Sequence, residues 1–400
     1  MNRILKSLPW PRAKLSVVVR FVLVLALFEL VRTGLYAAFL TAYGPKVMGL
    51  NLALVGLAWS LHYLADTLGR SLGGELVERF GLGRVTALCA ALGLLCTALL
   101  PLATHPVLFI ALAMLHGFSL SPLWPGVMTL ATRAAADNQH ARAVGFAQMG
   151  VTPFIGIGFL ATTALAQPRL LSLFGIPAAW LMLVAVQVLL TVIALSLWSQ
   201  RGAGTEHPQR QRLELRALLP LLPAALIQTL ALTMLGPIIN LYAKQLNLPT
   251  IGLMLVLGVG ALAAYGALNW TGKLADRRGP HRVLIVGLLG AMLAFVGLAY
   301  VSQVWALVPV AILAGLGYAC IVPGWGGLVA RLLPEERRAV AWGALMTAEN
   351  LGTAAGPAVG SFAWDFLGHR APFLVGAALF FAVAVFYLLL MRRLRLQRVT

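Results

Sequence analysis

Apolar stretches of about twenty residues recur along the whole chain, separated by short segments that contain glycine, proline and charged side chains. A helix needs roughly 20 residues to cross the hydrocarbon core of a bilayer. The pattern therefore predicts an all-α membrane protein with twelve transmembrane helices, at about residues 17–42, 50–72, 85–103, 106–131, 142–166, 176–199, 217–243, 250–271, 283–302, 305–332, 340–366 and 371–391.

Composition agrees with this pattern. The chain has 400 residues, of which 60% are hydrophobic and 10% are charged, whereas soluble domains carry about 25% charged residues. The longest polar segment, residues 200–216, is far shorter than the roughly 100 residues of a soluble catalytic or nucleotide-hydrolysing domain. Cys89, Cys96 and Cys320 show no paired spacing, so we expect no disulfide framework.

The formal net charge of +18 comes from basic side chains in the short connections between predicted spans. Of the 30 Lys and Arg residues, 23 lie in the termini and the even-numbered connections, and only 4 lie in the odd-numbered connections. Loops rich in Lys and Arg stay on the cytoplasmic side of a membrane. The count predicts a multi-pass protein of the cell membrane with both termini in the cytoplasm. Because topology accounts for the charge, we expect no binding to nucleic acid.

The chain also repeats itself with an offset of 198 residues. Gly74–Gly81, after the second span, reads GELVERFG, and Gly272–Gly279, after the eighth span, reads GKLADRRG. This repeat predicts two six-helix halves, residues 1–199 and 217–400, joined by a cytoplasmic linker at 200–216. Parallel six-helix halves are typical of transporters whose substrate site lies between the halves, near the middle of the bilayer.

The repeated segment resembles the loop signature of the major facilitator superfamily. Its glycines suit a tight turn between close helices, and its acidic residue can pair with an arginine or with a helix N-terminus. The resemblance implies the fold of that superfamily, and a conformational latch rather than a substrate site. The residues that we assign to the latch are Gly74, Glu78, Arg79, Gly272, Asp276 and Arg277.

Ionisable side chains lie within the first two predicted spans, where each costs about 2.5–3.5 kcal/mol on insertion scales. Glu29 and Arg32 share one helix face, with Tyr36 a turn further on, and His62 and Asp66 share a face of the second span. Such residues typically face the bundle interior or a water-filled pathway. The alternative is that the charges are structural ion pairs that lock two helices together. A metal site at His62 and Asp66 would need further ligands.

The two halves differ in chemistry. Shifting the ionisable residues of the first half by 198 positions leads to the neighbourhood of Gln228, Leu230, Gly260, Ala264 and Leu268. We therefore expect a cavity with one charged wall and one apolar wall, unless these apolar positions merely contact lipid. Such a cavity suits an amphiphile with a polar headgroup and acyl chains better than a small hydrophilic solute.

Span four contains Trp124 between Pro122 and Pro125, and span ten contains the matching pair Pro323 and Trp325. Proline removes backbone hydrogen bonds at membrane depth, which is tolerated where protein or a cavity satisfies the freed groups. We expect kinked helices that line the cavity. Trp124 is then a candidate to contact a sugar ring, although a packing role suits its side chain equally well.

Three segments, Phe28–Arg32, Ser60–Asp66 and Ser121–Trp124, resemble the glycolipid flippases that supply the lipid anchor of lipoteichoic acid. In that family the corresponding Glu, Arg and Asp line a hydrophilic headgroup pocket, and transport is coupled to protons. The resemblance implies a headgroup-binding role here for a set that we extend to Glu29, Arg32, Tyr36, His62, Asp66 and Trp124.

Three carboxylates at membrane depth are candidates to exchange a proton as access alternates: Glu29, Asp66 and Glu349. Glu349, in span eleven, precedes a run of small residues at 352–360 that suits close helix packing, and its alternative role is that of a structural acid. The spacing between Gly266 and Lys273 does not fit a phosphate-binding loop. We therefore expect transport to draw on a gradient.

Together these observations predict a proton-coupled flippase that moves a glycolipid with a diacylglycerol-type anchor by alternating access, rather than an enzyme. The expected partners are the glycolipid, protons and membrane lipids, and we expect a monomer with no cofactor and no metal. Two alternatives stay open. One is a proton-driven multidrug exporter of the same fold, and the other is an intramembrane lipid-modifying enzyme that acts through His62 and Asp66.

Overall fold

The computed structural model describes residues 10, 12–135, 140–166, 177–200, 221–332 and 338–396. Regular secondary structure within these ranges is helical, without a strand. The chain divides into two compact units, Met1–His207 and Pro208–Thr400. Apart from Gln200, the linker predicted at 200–216 lies outside the described residues.

The first unit contains helices over every span predicted for the first half. The fourth predicted span is divided in two by a turn at Ser121 and Pro122, where the prolines of this segment predicted a kink. The helices are α1 (Arg12–Thr33), α2 (Leu52–Phe80), α3 (Leu82–Leu99), α4 (Pro106–Leu120), α5 (Leu123–Ala134), α6 (His140–Leu165) and α7 (Ala178–Leu195).

The second unit follows its six predicted spans in the same way, with the seventh span divided into two helices. Its helices are α8 (Leu222–Thr233), α9 (Ile239–Gln245), α10 (Thr250–Arg278), α11 (Pro280–Tyr300), α12 (Leu307–Leu332), α13 (Arg338–Leu367) and α14 (Ala371–Leu396).

Among the described residues, eight helical stretches are long and apolar enough to cross a membrane by length and composition. Helices α1, α2 and α13 are not among them, and these are the helices that carry Glu29, Asp66 and Glu349. These three carboxylates therefore lie on helices that do not meet this criterion. The chain is an all-α membrane protein.

The first span is not a regular α-helix throughout. After Thr33 it continues through a π-helical turn at Gly34–Phe39, an α-helical turn at Leu40–Tyr43 and a second π-helical turn at Gly44–Met48. π-Helical turns are rare and occur frequently at functional sites. The first of these turns begins two residues after Arg32 and carries Tyr36. The backbone therefore changes from α-helix to π-helix at the predicted polar site.

Glycines let the fifth helix of each repeat approach the first helix closely. Helix α6 packs against α1, and α13 packs against α8. A Cβ atom at Gly158 would collide with the backbone of Leu30, and a Cβ atom at Gly356 would crowd the carbonyl oxygen of Leu230. Gly158 and Gly356 are 198 residues apart, so the repeat in sequence is also a repeat in packing. The small residues at 352–360 have the packing role that their composition predicted.

The glycines of the latch segments differ in position. Gly74 and Gly272 lie inside long helices, α2 and α10, and a Cβ built on either has no atom within 4 Å beyond the backbone of its own helix. The turns form at the last glycine of each segment instead. Gly81 has φ +88° and Gly279 has φ +95°, a backbone conformation that favours glycine because it lacks a Cβ.

The charged members of the latch lie on the exposed surface at the ends of these two helices. Glu78 and Arg79 belong to the last turn of α2, and Asp276 and Arg277 belong to the last turn of α10. Both pairs lie just before the glycines that form the turns, Gly81 and Gly279, as the repeat predicts. Their role as a latch remains a prediction.

Replacing Gly279 by alanine should destabilise the protein, because a Cβ in this conformation costs about 1–3 kcal/mol. Gly272→Ala is the matched control, seven residues earlier in the same segment. It should leave stability unchanged or raise it by up to about 1 kcal/mol, because alanine is the better helix former. The midpoint of thermal unfolding in detergent measures both. Equal losses for the two variants would contradict this assignment of the turn.

Candidate functional site

The first unit contains a buried network of four charged side chains on α1 and α2. Arg32 donates through Nη2 to Oε2 of Glu29, one helical turn earlier. Its Nη1 lies 3.8 Å from Oδ2 of Asp66, and Nη2 of Arg70 lies 3.4 Å from the same oxygen. Arg32 therefore joins the two helices, and two acids balance two bases within the network. We call these residues, Glu29, Arg32, Asp66 and Arg70, the Arg32 network.

Trp124 attaches a third helix to this network. Its indole Nε1 donates to Oε1 of Glu29 over 2.6 Å, so both oxygens of Glu29 accept a hydrogen bond. Trp124 is the second residue of α5, directly after the turn at Pro122. The proline break therefore sets where α5 begins, and with it the position of the indole group.

The network is more enclosed than the sequence predicted. Glu29 is 0% exposed, Asp66 2% and Arg32 8%, although all three were expected to line an open cavity. Arg70 keeps 25% of its side chain exposed, and Trp124 is half-buried. In this conformation the network meets its surroundings through Arg70, Trp124 and the edge of Arg32.

Three polar atoms of the network are buried without a hydrogen-bond partner among the described residues. They are Nε of Arg32, Oδ1 of Asp66 and Nε of Arg70. Leaving such an atom unpaired costs about 1–3 kcal/mol. The network thus keeps hydrogen-bonding capacity that its internal contacts do not use.

Tyr36 and His62, predicted as headgroup contacts, lie within a buried aromatic cluster, and their contact with a headgroup stays a prediction. The ring centroids of Tyr36 and His62 are 4.6 Å apart, and both residues are fully buried. His116 from α4 completes the cluster, since its Nδ1 lies 3.3 Å from the Tyr36 hydroxyl oxygen and its ring centroid lies 5.0 Å from that of His62. The Arg32 network lies close to this cluster. The guanidinium of Arg32 is 4.8 Å from the ring centroid of Tyr63, the residue that follows His62.

His116 is a member of this site that was not predicted from the sequence. The available signal was a histidine inside an apolar span, directly before Gly117. A Cβ at Gly117 would collide with the carbonyl oxygen of His62, so this glycine lets α4 approach α2 and brings the two histidines together. Among the described residues there is no group of three His, Cys, Asp or Glu side chains that could hold a metal ion.

The second unit has a polar site of its own, although its matching positions were expected to be apolar. Glu349 on α13 accepts at Oε1 from the indole Nε1 of Trp325 over 3.0 Å and from Nε2 of Gln228 over 3.1 Å. Gln228 is on α8 and Trp325 is on α12. Leu230 and Ala264 are buried and apolar, as predicted. The apolar half is therefore interrupted at one place by a hydrogen-bonded carboxylate.

Comparison with known proteins agrees with the repeat and with the resemblance. The profile of the Major Facilitator Superfamily matches the chain twice, over residues 21–222 and 221–399. The proton-coupled antiporter flippase LtaA of Staphylococcus aureus (strain USA300) is 25% identical over 379 residues, covering 91% of this chain and 92% of the relative. The protein of the same name from strain MSSA476 is 24% identical over the same shares.

Solved structures show the same fold at low sequence identity. A bacterial homologue of the human lysosomal transporter Spinster, in an inward-facing and occupied conformation, has a TM-score of 0.78 and 15% identity, covering 95% of this chain and 97% of that chain. The nucleoside transporter NupG has a TM-score of 0.69 and 14% identity, covering 93% and 99%. With the two profile matches spanning nearly all of the sequence, the chain belongs to the Major Facilitator Superfamily and is a multi-pass membrane transporter, not an enzyme.

Proposed function

We propose that this transporter is a proton-coupled flippase, which moves a glycolipid across the cell membrane by alternating access, with both termini in the cytoplasm. The observation that carries the proposal is the Arg32 network, in which buried polar atoms lack a partner beside a half-buried tryptophan. A purely structural lock would gain nothing from unpaired atoms, whereas hydroxyl groups of a sugar can donate to Asp66 and accept from arginine. The similarity to the flippase LtaA supports the same assignment.

Within this proposal, Trp124 binds the sugar through the face of its ring. Its indole N–H is already donated to Glu29, so the flat apolar face is the part that a sugar ring can cover. Arg70, which is partly exposed, meets the headgroup first. Arg32 and Asp66 then supply the hydrogen bonds that their internal contacts leave unused.

The positions of the second unit that match Arg32 and Asp66 offer a headgroup no hydrogen bonds from side chains. Leu230 belongs to the hydrophobic core of that unit, and Ala264 is buried. Within this proposal the Arg32 network therefore provides the specificity for the headgroup.

The candidates to bind the transported proton are the membrane-depth carboxylates Glu29, Asp66 and Glu349. Adding a proton to Asp66 would remove the negative charge that Arg32 and Arg70 share, and adding one to Glu29 would weaken its bond with Arg32. Either change would leave the network with excess positive charge, which is unfavourable inside the membrane. The network therefore opposes proton uptake at Glu29 and Asp66, and Glu349 is the membrane-depth carboxylate that lies outside it.

Trp124→Phe and Trp124→Ala separate the two contacts of the indole group. Phenylalanine keeps a ring face but loses the hydrogen bond to Glu29, and such bonds to charged groups contribute about 1.5–3 kcal/mol. We expect glycolipid movement in proteoliposomes to fall roughly tenfold for the Phe variant and further for the Ala variant. Trp270→Phe, at an exposed position of α10, is the control. Equal activity of Trp124→Ala and the wild type would refute the sugar contact.

Asp66→Asn tests the network itself. The amide keeps the shape of Asp66 but removes the charge that faces two arginines, so movement of a fluorescent glycolipid between leaflets, followed with an outer-leaflet quencher, should fall at least about tenfold. The elution volume and thermal unfolding midpoint of the variant report whether it folds. Unchanged lipid sidedness in the wild type, together with proton-linked efflux of cationic dyes, would instead identify a multidrug exporter.

A further inference from the structure

The polar site of the second unit differs from the Arg32 network in the way that its carboxylate is held. Glu349 accepts two hydrogen bonds, from Trp325 and Gln228, and both reach Oε1. Its backbone carbonyl oxygen accepts from the hydroxyl of Thr229 over 2.7 Å and from that of Thr353 over 3.0 Å. The bond from Thr229 thus fixes α13 against α8 at this point. The two hydrogen bonds to Oε1 orient the carboxylate, and Oε2 is the oxygen left for a further partner.

Both halves contain a tryptophan that donates to a glutamate, but the glutamate is on a different helix of each half. Trp124 and Trp325 are 201 residues apart, close to the offset of the repeat, and each donates its indole N–H to a glutamate. In the first half this glutamate, Glu29, is on the first helix. In the second half the matching region of the first helix offers the neutral Gln228, and the acid comes from α13. The second unit has therefore kept the hydrogen-bond arrangement but has lost the arginine that accompanies it.

Charge balance separates the two sites. The Arg32 network pairs two carboxylates with two guanidinium groups, so it is neutral when all four groups are ionised. The described partners of Glu349 are neutral donors, without an ion pair. An unpaired negative charge is unfavourable at membrane depth, whereas a protonated carboxyl group with hydrogen-bonding neighbours is tolerated there.

The described ionisable side chains of the neighbouring helices do not change this balance. Helix α8 has none. The ionisable side chains described on α12, α14 and the rest of α13 are Tyr318, Cys320, Tyr387 and Asp365, and none of them is a partner of Glu349. Asp365 is 16 residues further along α13, roughly 24 Å away along the helix axis. Glu349 is also half-buried, while Glu29 and Asp66 are buried, so it is the most accessible of the three carboxylates.

We propose that Glu349 carries the coupling proton, while Glu29 and Asp66 stay ionised as part of the headgroup site. A proton from water on one side of the membrane forms an O–H bond at Oε2, the carboxyl group becomes neutral, and Oε1 continues to accept from Trp325 and Gln228. When access alternates, the O–H bond breaks and the same proton passes to water on the other side. This assignment rests on the proposed function, and it names the residue that carries the proton.

Glu349→Gln tests the assignment in proteoliposomes. Glutamine keeps an oxygen that accepts from Trp325 and Gln228 and cannot release a proton, so the variant should still move fluorescent glycolipid. For one proton per lipid, a pH difference of one unit shifts the lipid distribution of the wild type by about tenfold. In Glu349→Gln the distribution should stay near its value without a gradient, and an internal pH-sensitive dye should report no lipid-driven proton flux. Glu349→Asp should restore both responses.

Two results in this assay would overturn the assignment. One is a Glu349→Gln variant that keeps the pH-driven shift and the proton flux. The other is a variant with a normal unfolding midpoint that moves no lipid under any condition, because Glu349 would then contact the substrate. If the wild type itself moves no glycolipid, the proposed function fails, and infrared difference spectroscopy still decides the inference. A protonated-carboxyl band that appears on acidification should be lost in Glu349→Gln and kept in Glu29→Gln, and a band that persists in Glu349→Gln would overturn it.

Discussion

The need to neutralise charge inside a lipid environment organises this protein. Arg32 donates to Glu29 and lies 3.8 Å from Asp66, and these contacts connect α1 with α2 within a membrane protein, where isolated charges are poorly tolerated. Trp124 adds α5 through Glu29. Close to this point, the π-helical turn after Thr33 carries Tyr36, and the close contact at Gly117 brings α4 with His116 against α2. Buried ion pairs of this kind are weak evidence for stability and stronger evidence for a site.

The sequence predicted well whatever depends on local spacing or on the repeat. Hydropathy located the helices, and the offset of 198 residues recurs in the structure, where Gly158 and Gly356 make matching close contacts. Contacts between side chains on different helices were harder to predict. The spacing of Glu29 and Arg32 placed them on one helix face. The approach of Arg32 to Asp66 and the hydrogen bond from Trp124 to Glu29 depend on how the helices pack. Periodicity also did not reveal which glycine of each repeated segment forms the turn, and it is the last one, Gly81 or Gly279, that has a positive φ.

The two units illustrate how a duplicated transporter can separate its tasks. Each retains a tryptophan that donates to a glutamate, but only the first surrounds that glutamate with arginine among the described residues. A neutral ion network suits a headgroup that needs several hydrogen bonds, and a carboxylate with neutral neighbours suits a proton. The difference between the halves therefore lies less in the number of polar residues than in whether their charges are balanced.

The central claim is that the Arg32 network and Trp124 bind a sugar headgroup. Its most direct test is the thermal unfolding midpoint of the purified protein during titration with a glycolipid and with the same diacylglycerol without a sugar, since a ligand that binds the folded state raises the midpoint. The account predicts a rise that saturates with the glycolipid, a much smaller rise with diacylglycerol, and no difference between the two lipids for Trp124→Ala. Equal stabilisation of the wild type by both lipids would contradict it.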